Sequence, residues 1–285
     1  MSKPDNYKHI PVLGIQEFRK EQLAGREELL FNELLGEKHI DQPHRHDFFI
    51  IMLFDSAQGV HSIDFRDYQI GDKQVHVLFP GQVHSWHMKL DTTGYQLMVH
   101  HNFLKHFAPY FRFSFTNYIN HPVIPLSDSN FSLLKYEFTA IKDELKTGNS
   151  LPELISARAA VIAAIVSKEA ETVFTDYKVY QSRPRLAKFH MLVDQHFKEE
   201  KLVAFYASQL NISANYLNIL CKRNLKISAT QLIQQRVLLE AKRLLHSTDF
   251  SIKEIAFQLG FVDNAYFSNF FKTHTGTKPT EFREK

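Results

Sequence analysis

Cysteine is scarce in this sequence: Cys221 is the only one among 285 residues, so no disulfide can form within the chain. Such scarcity is typical of proteins that stay reduced in the cytoplasm, which is the location we expect. No apolar run approaches the roughly 18 residues of a membrane-spanning helix, and the opening stretch MSKPDNYKHIPVLG lacks the apolar core of a secretory signal. The sequence therefore predicts a soluble cytoplasmic protein with no membrane association.

Motifs of several enzyme classes are missing as well. The sequence contains no glycine-rich nucleotide loop, no H-E-x-x-H and no G-x-S-x-G. Hydrophobic residues make up 44% and charged residues 23%, which is typical of a folded globular chain and not of a disordered one. We expect a protein that is not an enzyme, with no catalytic residue and no cofactor.

Charge is unevenly divided along the chain. Residues 183–285 carry 16 lysines and arginines against 9 aspartates and glutamates, a net charge of +7. The first 182 residues carry 18 against 22, a net charge of −4. This asymmetry indicates that the C-terminal part meets a polyanion and that the N-terminal part does not.

The hydrophobic pattern divides the chain near the same place. From about residue 9 to residue 123, apolar segments such as DFFIIMLF, KQVHVLF and GYQLMVH alternate with turn-forming residues, which indicates an antiparallel sandwich or barrel. Apolar residues at helical spacing then predict two helices, at about 130–147 and 150–171. From Arg185 onward the pattern is helical throughout.

The predicted fold is therefore a multidomain one, with an all-β barrel and two accessory helices followed by an all-α domain. We place the all-β domain with its two accessory helices at residues 1–174 and the all-α domain at residues 185–285. Residues 175–184 lose periodicity and are predicted to be a linker.

Two segments of the helical half resemble each other. They are FYASQLNISANYLNILCKR at residues 205–223 and EIAFQLGFVDNAYFSNFFKT at residues 254–273. Each predicts two short helices separated by a tight turn. We therefore predict two helix-turn-helix units, at about 202–224 and about 251–274.

Small and turn-forming residues occur at matching places in the two segments. Ala207 and Ala256 provide the small side chain that is favoured where two helices cross closely. Asn211 and Gly260 stand in the turns, where a residue that tolerates the left-handed conformation is needed. Two such units in register on the basic half favour DNA binding over an ordinary helical bundle with solvated polar faces.

The second helix of each unit has a polar outer face. Ser213 and Asp263 are predicted to cap these helices with their side-chain oxygens. Short amides and hydroxyls can read base edges in the major groove, and a lysine can contact phosphate. The predicted DNA-binding residues are Ser213, Asn215, Tyr216, Asn218, Ile219, Lys222, Asn264, Ala265, Ser268, Asn269 and Lys272.

The stretch RVLLEAKRLLHSTDFSIKEIAFQLGFVDNAYFSNFFK, residues 236–272, resembles the signature of the AraC/XylS transcription regulators. The resemblance consists of R-x4-A-x2-LL, S-I-x-E-I-A-x3-G-F and Y-F-S-x-F-F-K. It implies seven helices, with a linking helix at about 229–247 that brings two recognition helices into successive major grooves. It also implies sequence-specific binding of double-stranded DNA and transcription control, with activation the expected sign and RNA polymerase a partner.

Two residues depart from the family pattern. Asn269 and Ile219 stand where many members carry arginine, so a group that reads guanine or contacts phosphate is missing at each place. The operator sequence is therefore expected to differ from those of relatives.

Two segments of the first half, PHRHDFF at 43–49 and PGQVHSWH at 80–87, resemble the two halves of a cupin motif. Cupins often hold a metal with three histidines and a glutamate, and His44, His46 and His84 are the histidine candidates. Ile50 and Ile51 occupy the positions where the glutamate is expected. We therefore predict no metal site and no stoichiometric transition metal in the purified protein.

The N-terminal domain is instead expected to bind a small-molecule effector in an apolar pocket with a few polar anchors. The expected ligand-binding residues are His44, His46, Phe79, His84, Trp86 and Tyr95. Trp86 as a plain core residue is an equally good interpretation. A regulator that responds to a metal or to a partner protein is the alternative, and a cupin metalloenzyme is a remote one.

The family resemblance also implies that the predicted helices at 130–147 and 150–171 form a homodimer interface. The alternative is that both helices pack on the barrel. At least one must do so, because an uncovered barrel end would leave apolar surface in water. The domain could also act only in dimerisation.

Overall fold

The computed structural model describes residues 12–13, 15, 24–26, 28–111, 115–147, 149–173 and 183–284. The chain divides into two compact units, one at 11–174 and one that includes 175–285. Most of the predicted linker, residues 175–182, lies outside the described residues. Among the described helices, none combines the length and the hydropathy that are needed to cross a membrane.

The N-terminal unit is rich in β-structure, as the alternating apolar segments predict. Its strands are β1 Val12–Leu13, β2 Ala24–Arg26, β3 Leu29–Leu35, β4 Lys38–His46, β5 Phe49–Ser56, β6 Gly59–Ile63, β7 Arg66–Ile70, β8 Gln74–Leu78, β9 Val83–Met88, β10 Thr93–Val99 and β11 Val123–Pro125. They form a five-stranded sheet in the order β1-β4-β9-β6-β7 and a six-stranded sheet in the order β11-β8-β5-β10-β3-β2. The described pairings are antiparallel except for the parallel pair of β1 and β4.

The position of strand β5 explains why its sequence is continuously apolar and does not alternate with polar residues. Ile50, Met52 and Phe54 belong to the core between the two sheets. Phe49 points to the other face, where its ring centroid lies 5.8 Å from that of Phe111. Because β5 is covered on both faces, six consecutive residues are buried, and such a strand reads as a continuous apolar run.

Helices cover the outer face of the six-stranded sheet. They are α1 His101–Phe107, α2 Phe115–Asn120, α3 Asp128–Lys146 and α4 Pro152–Val173, with a 3-10 turn at Ala108–Tyr110. Helices α3 and α4 confirm the two that the periodicity predicts. Phe138 of α3 packs on Phe31 and Tyr95, with centroid distances of 6.4 and 6.1 Å. The short helices α1 and α2 lie in the region predicted as β, because their seven and six residues are too few to show a helical period.

The C-terminal unit is all-helical. Residues 183–284 contain α5 Pro184–His196, α6 Val203–Gln209, α7 Ala214–Leu225, α8 Ala229–Ser247, α9 Ile252–Gln258, α10 Asn264–Thr275 and α11 Pro279–Arg283. These seven helices, with α8 at 229–247, are those that the family resemblance implies. Together with the β-rich N-terminal unit they confirm the predicted fold class.

Candidate functional sites

The first helix-turn-helix unit consists of α6 and α7. Asn211 in the turn has φ +53°, the left-handed conformation that its position requires. The Ser213 hydroxyl then accepts a 3.1 Å hydrogen bond from the Tyr216 backbone N–H and so caps α7. Leu217 and Cys221 are fully buried, and burial raises the pKa of the Cys221 thiol to about 11. One face of α7 therefore packs on the core.

The second unit, α9 and α10, repeats this construction. Gly260 has φ +71° in the turn, and a carboxylate oxygen of Asp263 accepts a 2.7 Å hydrogen bond from the Tyr266 backbone N–H. Phe267 and Phe271 are fully buried at the positions that match Leu217 and Cys221. Both predicted turns and both predicted caps are therefore present.

The predicted DNA-binding residues lie mainly on the opposite faces of α7 and α10. Ser268 is half-buried and its hydroxyl lies 3.4 Å from the Asn264 side-chain oxygen. Those that are exposed are Ser213, Asn215, Tyr216, Ile219, Lys222, Asn264, Ala265, Asn269 and Lys272. These side chains form the surface that we call the recognition face.

Asn218 differs from this expectation. Its side-chain oxygen accepts a 3.0 Å hydrogen bond from the Ala229 backbone N–H, and the residue is half-buried. That oxygen is therefore engaged at the start of α8, a contact that the sequence did not predict. Conversely, Tyr266 is 64% exposed on α10 and was missed, although alignment with Tyr216 could have found it.

One hydrophobic core holds the two helix-turn-helix units of the C-terminal unit together. Buried residues of α7, α8 and α10 belong to the same cluster, among them Leu217, Val237 and Phe267. The Lys201 ammonium group donates to the Lys198 and Gly260 carbonyls at 2.9 and 3.3 Å. These hydrogen bonds connect the turn between α9 and α10 to the segment between α5 and α6. Because α8 has 19 residues, it is about 28 Å long at 1.5 Å per residue. The recognition helices therefore keep a fixed separation.

A second candidate site lies between the two sheets of the N-terminal unit. His44 on β4 stands directly opposite His84 on β9, and His46 is two residues further along β4. All three are buried, and their potential ligand nitrogens lie within 4.8 Å of one another. The structure thus brings together the three histidines that the motif singled out.

Two further buried histidines extend this group and were not predicted. His61 on β6 places Nε2 2.9 Å from His84 Nδ1, and its Nδ1 lies 2.9 Å from His76 Nδ1 on β8. His76 Nε2 in turn lies 3.2 Å from the side-chain oxygen of Gln74. We call the five residues His44, His46, His61, His76 and His84 the histidine cluster. It spans both sheets, because β8 belongs to the six-stranded sheet and the other strands to the five-stranded one.

Two of the six expected ligand-binding residues lie elsewhere, which corrects the predicted pocket. Tyr95 packs on Phe31 and Phe138 at the helix-covered face of the six-stranded sheet. Phe79 likewise packs on Phe49 and Tyr118 and does not line the space between the sheets. Trp86 does join the histidines, with its ring centroid 5.1 Å from that of His84.

Burial controls the protonation of the cluster. It lowers the pKa of His76 to about 3. It also lowers the pKa of His61 and of His84 well below the usual value, and the neighbouring imidazoles lower both further. These three side chains are therefore neutral near pH 7.

A pH dependence of stability follows from His76. In the unfolded chain its pKa returns to about 6.5, so below that pH the unfolded state binds more protons than the folded state. We expect the free energy of unfolding of the N-terminal unit to fall by up to about 1.4 kcal/mol per pH unit as the pH drops below 6.5. Above pH 6.5 this group contributes no change.

Urea unfolding followed by the fluorescence of Trp86, the single tryptophan, measures this dependence. A His76→Phe variant should show a flatter pH dependence between pH 6.5 and 5, and a His39→Ala variant, which lacks an exposed histidine, should not. An unfolding midpoint that stays constant over this range in the unmodified chain would contradict the assignment.

One comparison with known proteins locates its match in the C-terminal unit. A family model described as a helix-turn-helix domain matches residues 206–285. The arabinose operon regulatory protein of Salmonella typhimurium is 31% identical over 140 residues, which are 49% of this chain and 46% of that protein. The transcriptional activator RhaS of Salmonella schwarzengrund is 29% identical over 101 residues, 34% of this chain and 36% of that protein. This chain thus matches less than half the length of these relatives.

Solved structures similar to this chain match different shares of it. The C-terminal domain of AraT, a response regulator from Geobacillus stearothermophilus, is 32% identical, with a TM-score of 0.34, and the match covers 35% of this chain and 84% of that one. ToxT from Vibrio cholerae is 14% identical, with a TM-score of 0.44, and the match covers 90% of this chain and 98% of that one.

Proposed function

We propose that this protein is a sequence-specific DNA-binding transcription regulator of the AraC/XylS type, because its C-terminal unit matches a helix-turn-helix family model and the chain is similar to the arabinose operon regulatory protein. The observation that carries the proposal is the pair of recognition helices, α7 and α10, held in one core with exposed polar faces. The net charge of +7 over residues 183–285 supports it, since displaced counterions make basic surfaces bind DNA.

The recognition face suggests a division of work between its side chains. The amides of Asn215 and Asn264 are exposed near the starts of α7 and α10, where side chains of a recognition helix meet base edges. Lys222 and Lys272 are exposed near the ends of these helices and can contact phosphates. In this proposal the asparagines determine the sequence preference, and the lysines supply affinity for any sequence.

Substitutions should distinguish a side chain that reads bases from one that contacts phosphates. Asn264→Ala is expected to cost about 1–3 kcal/mol at particular base pairs and little at others, because an amide-to-base contact is lost. Lys272→Ala is expected to weaken binding to all sequences alike and to reduce the slope of log affinity against log salt by about 1. Binding isotherms on a library of operator variants at several salt concentrations measure both effects.

Lys168→Ala is the matched control, because it removes the same charge from an exposed position of α4 in the N-terminal unit. It should leave affinity and salt slope unchanged. If Asn264→Ala and Lys272→Ala gave the same profile across the operator variants, the assignment of the recognition face would be wrong.

We further propose that the N-terminal unit controls DNA binding through a ligand and forms a homodimer. The buried histidine cluster supports the first statement. Exposed apolar side chains on α3, such as Leu133 (54%) and Tyr136 (64%), support the second. Activation through contact with RNA polymerase is part of the same proposal and rests on the family resemblance. Sedimentation equilibrium tests the dimer, and a monomer at micromolar concentration would contradict it.

A further inference from the structure

The hydrogen bonds of the histidine cluster determine where its protons lie. Gln74 Oε1 accepts a 3.0 Å hydrogen bond from the Gly71 backbone N–H, which identifies this atom as the oxygen. Since an amide oxygen only accepts, His76 Nε2 must donate to it. A neutral imidazole has one N–H, so His76 Nδ1 carries a lone pair.

The proton positions of His61 and His84 follow from that of His76. His61 Nδ1 must donate to the lone pair of His76, so His61 Nε2 accepts. His84 Nδ1 must then donate to His61, which leaves the lone pair of His84 on Nε2. This atom is fully buried, and within the described part of the chain it has no hydrogen-bond partner. An unmatched buried lone pair is costly unless something binds it.

We propose that the histidine cluster is a binding site for a divalent transition-metal cation, with His44, His46 and His84 as ligands and with His61 and His76 as positioning residues. In the regulator proposed above, the cation would be the ligand of the N-terminal unit. The site itself does not depend on DNA binding. A histidine that ligates a metal through one nitrogen usually donates its other N–H to a partner that orients it, as His84 does to His61.

The donor set selects the class of metal. Three neutral imidazoles suit zinc, nickel, cobalt or copper, whereas magnesium and calcium prefer oxygen ligands. Two nitrogens bound to one tetrahedral zinc lie about 3.3 Å apart, so nitrogens now within 4.8 Å of one another need shifts of only about 1 Å or less. Zinc accepts three protein nitrogens and a fourth ligand from solvent.

A metal site in the histidine cluster is contrary to the expectation from the sequence, which was that no metal binds. That expectation rested on the glutamate that Ile50 and Ile51 replace. The structure places the Ile50 side chain in the core between the sheets, where it offers no ligand atom to a metal. It also adds two histidines that the motif does not contain, and their proton order leaves the lone pair of His84 on Nε2. A nitrogen of His84 lies within 4.8 Å of ligand nitrogens of His44 and His46.

Metal content tests the ligands. The full chain, purified without a histidine tag, is dialysed with Zn²⁺ and then against buffer, and zinc is measured by elemental analysis. We expect one equivalent of zinc, lost in His44→Ala and in His84→Ala, and a higher thermal midpoint with zinc than without it. A chain that keeps less than a tenth of an equivalent, or that keeps its zinc in both variants, overturns the proposal.

The exposed group Glu37, His39 and His87 provides the matched control. The double variant His39→Ala, His87→Ala removes two histidines from the surface of the same two strands, β4 and β9. It should retain the zinc. Loss of zinc in this variant would place the metal at the surface and contradict the buried site.

The positioning role needs its own readout. His61→Phe removes the acceptor of His84 at similar volume, and we expect zinc to bind 10–100-fold more weakly. Gln74→Leu, at the half-buried far end of the network, should weaken binding less and guards against a His61 variant that does not fold. Trp86 fluorescence reports whether each variant is folded.

Two spectroscopic results complete the test. In the metal-free chain, a nitrogen-15 correlation spectrum of the histidine rings should show His84 protonated on Nδ1. With Co²⁺ in place of zinc, His61→Phe should alter the visible absorption of the bound ion. A His84 ring protonated on Nε2, or an unchanged zinc affinity in His61→Phe, would contradict the positioning role of His61.

Discussion

Gly260→Ala is expected to abolish DNA binding and to cost more than about 4 kcal/mol of stability in the C-terminal unit. A Cβ at this position would lie 1.9 Å from the Lys198 carbonyl oxygen. The turn between α9 and α10 could therefore not keep its contact with the segment between α5 and α6. The positive φ of +71° adds a cost of about 1–2 kcal/mol for any residue with a Cβ. Urea unfolding followed by far-ultraviolet circular dichroism measures the loss.

Gly276→Ala separates these two costs. Gly276 ends α10 with φ +79°, but a Cβ there meets no atom within 4 Å. We expect only the conformational cost of about 1–2 kcal/mol, with DNA affinity nearly unchanged. Equal losses in the two variants would show that the contact of the second turn with Lys198 does not matter.

Adjacent residues of α10 should give opposite results. Phe267 is fully buried, so Phe267→Ala is expected to cost about 3–5 kcal/mol and to remove DNA binding together with the fold. Tyr266 is 64% exposed, so Tyr266→Ala should change stability by no more than about 0.5 kcal/mol. Its effect should appear instead as weaker DNA binding, since its ring stands on the recognition face.

Thermal unfolding and DNA affinity, measured on both variants, test this pair. Tyr266→Phe keeps the ring and removes only the hydroxyl, so it tells whether that group donates to the DNA backbone. A Tyr266→Ala protein that loses as much stability as Phe267→Ala would place the recognition face on the wrong side of α10.

The sequence predicted the C-terminal unit closely because its determinants are local. Asn211 and Gly260 in the turns, and Ser213 and Asp263 at the caps, act within a few residues of their own positions. The predicted units at 202–224 and 251–274 agree with the observed helices to within about two residues. The hydrogen bond of Asn218 was not predicted, because its partner, Ala229, belongs to the next helix.

The N-terminal site was less predictable because strands that are distant in sequence form it. His61 and His76 stand outside the motif that singled out the other three histidines, and only the pairing of β6 with β9 and the facing of the two sheets bring them together. Tyr95 was assigned to the wrong side because an apolar strand covered on both faces does not reveal which side is inner. Phe79 lies just past the end of β8, where strand alternation no longer indicates a face. The class of fold follows from local patterns, but this site does not.

Selection of preferred sequences from random double-stranded DNA tests the central claim most directly. With the full chain, we expect two blocks of preferred bases whose centres lie about 10–10.5 base pairs apart, because α7 and α10 should enter successive major grooves. Asn215→Ala should relax the preference in one block and Asn264→Ala in the other. No enrichment of any sequence, or a single block that both variants alter alike, would contradict the account.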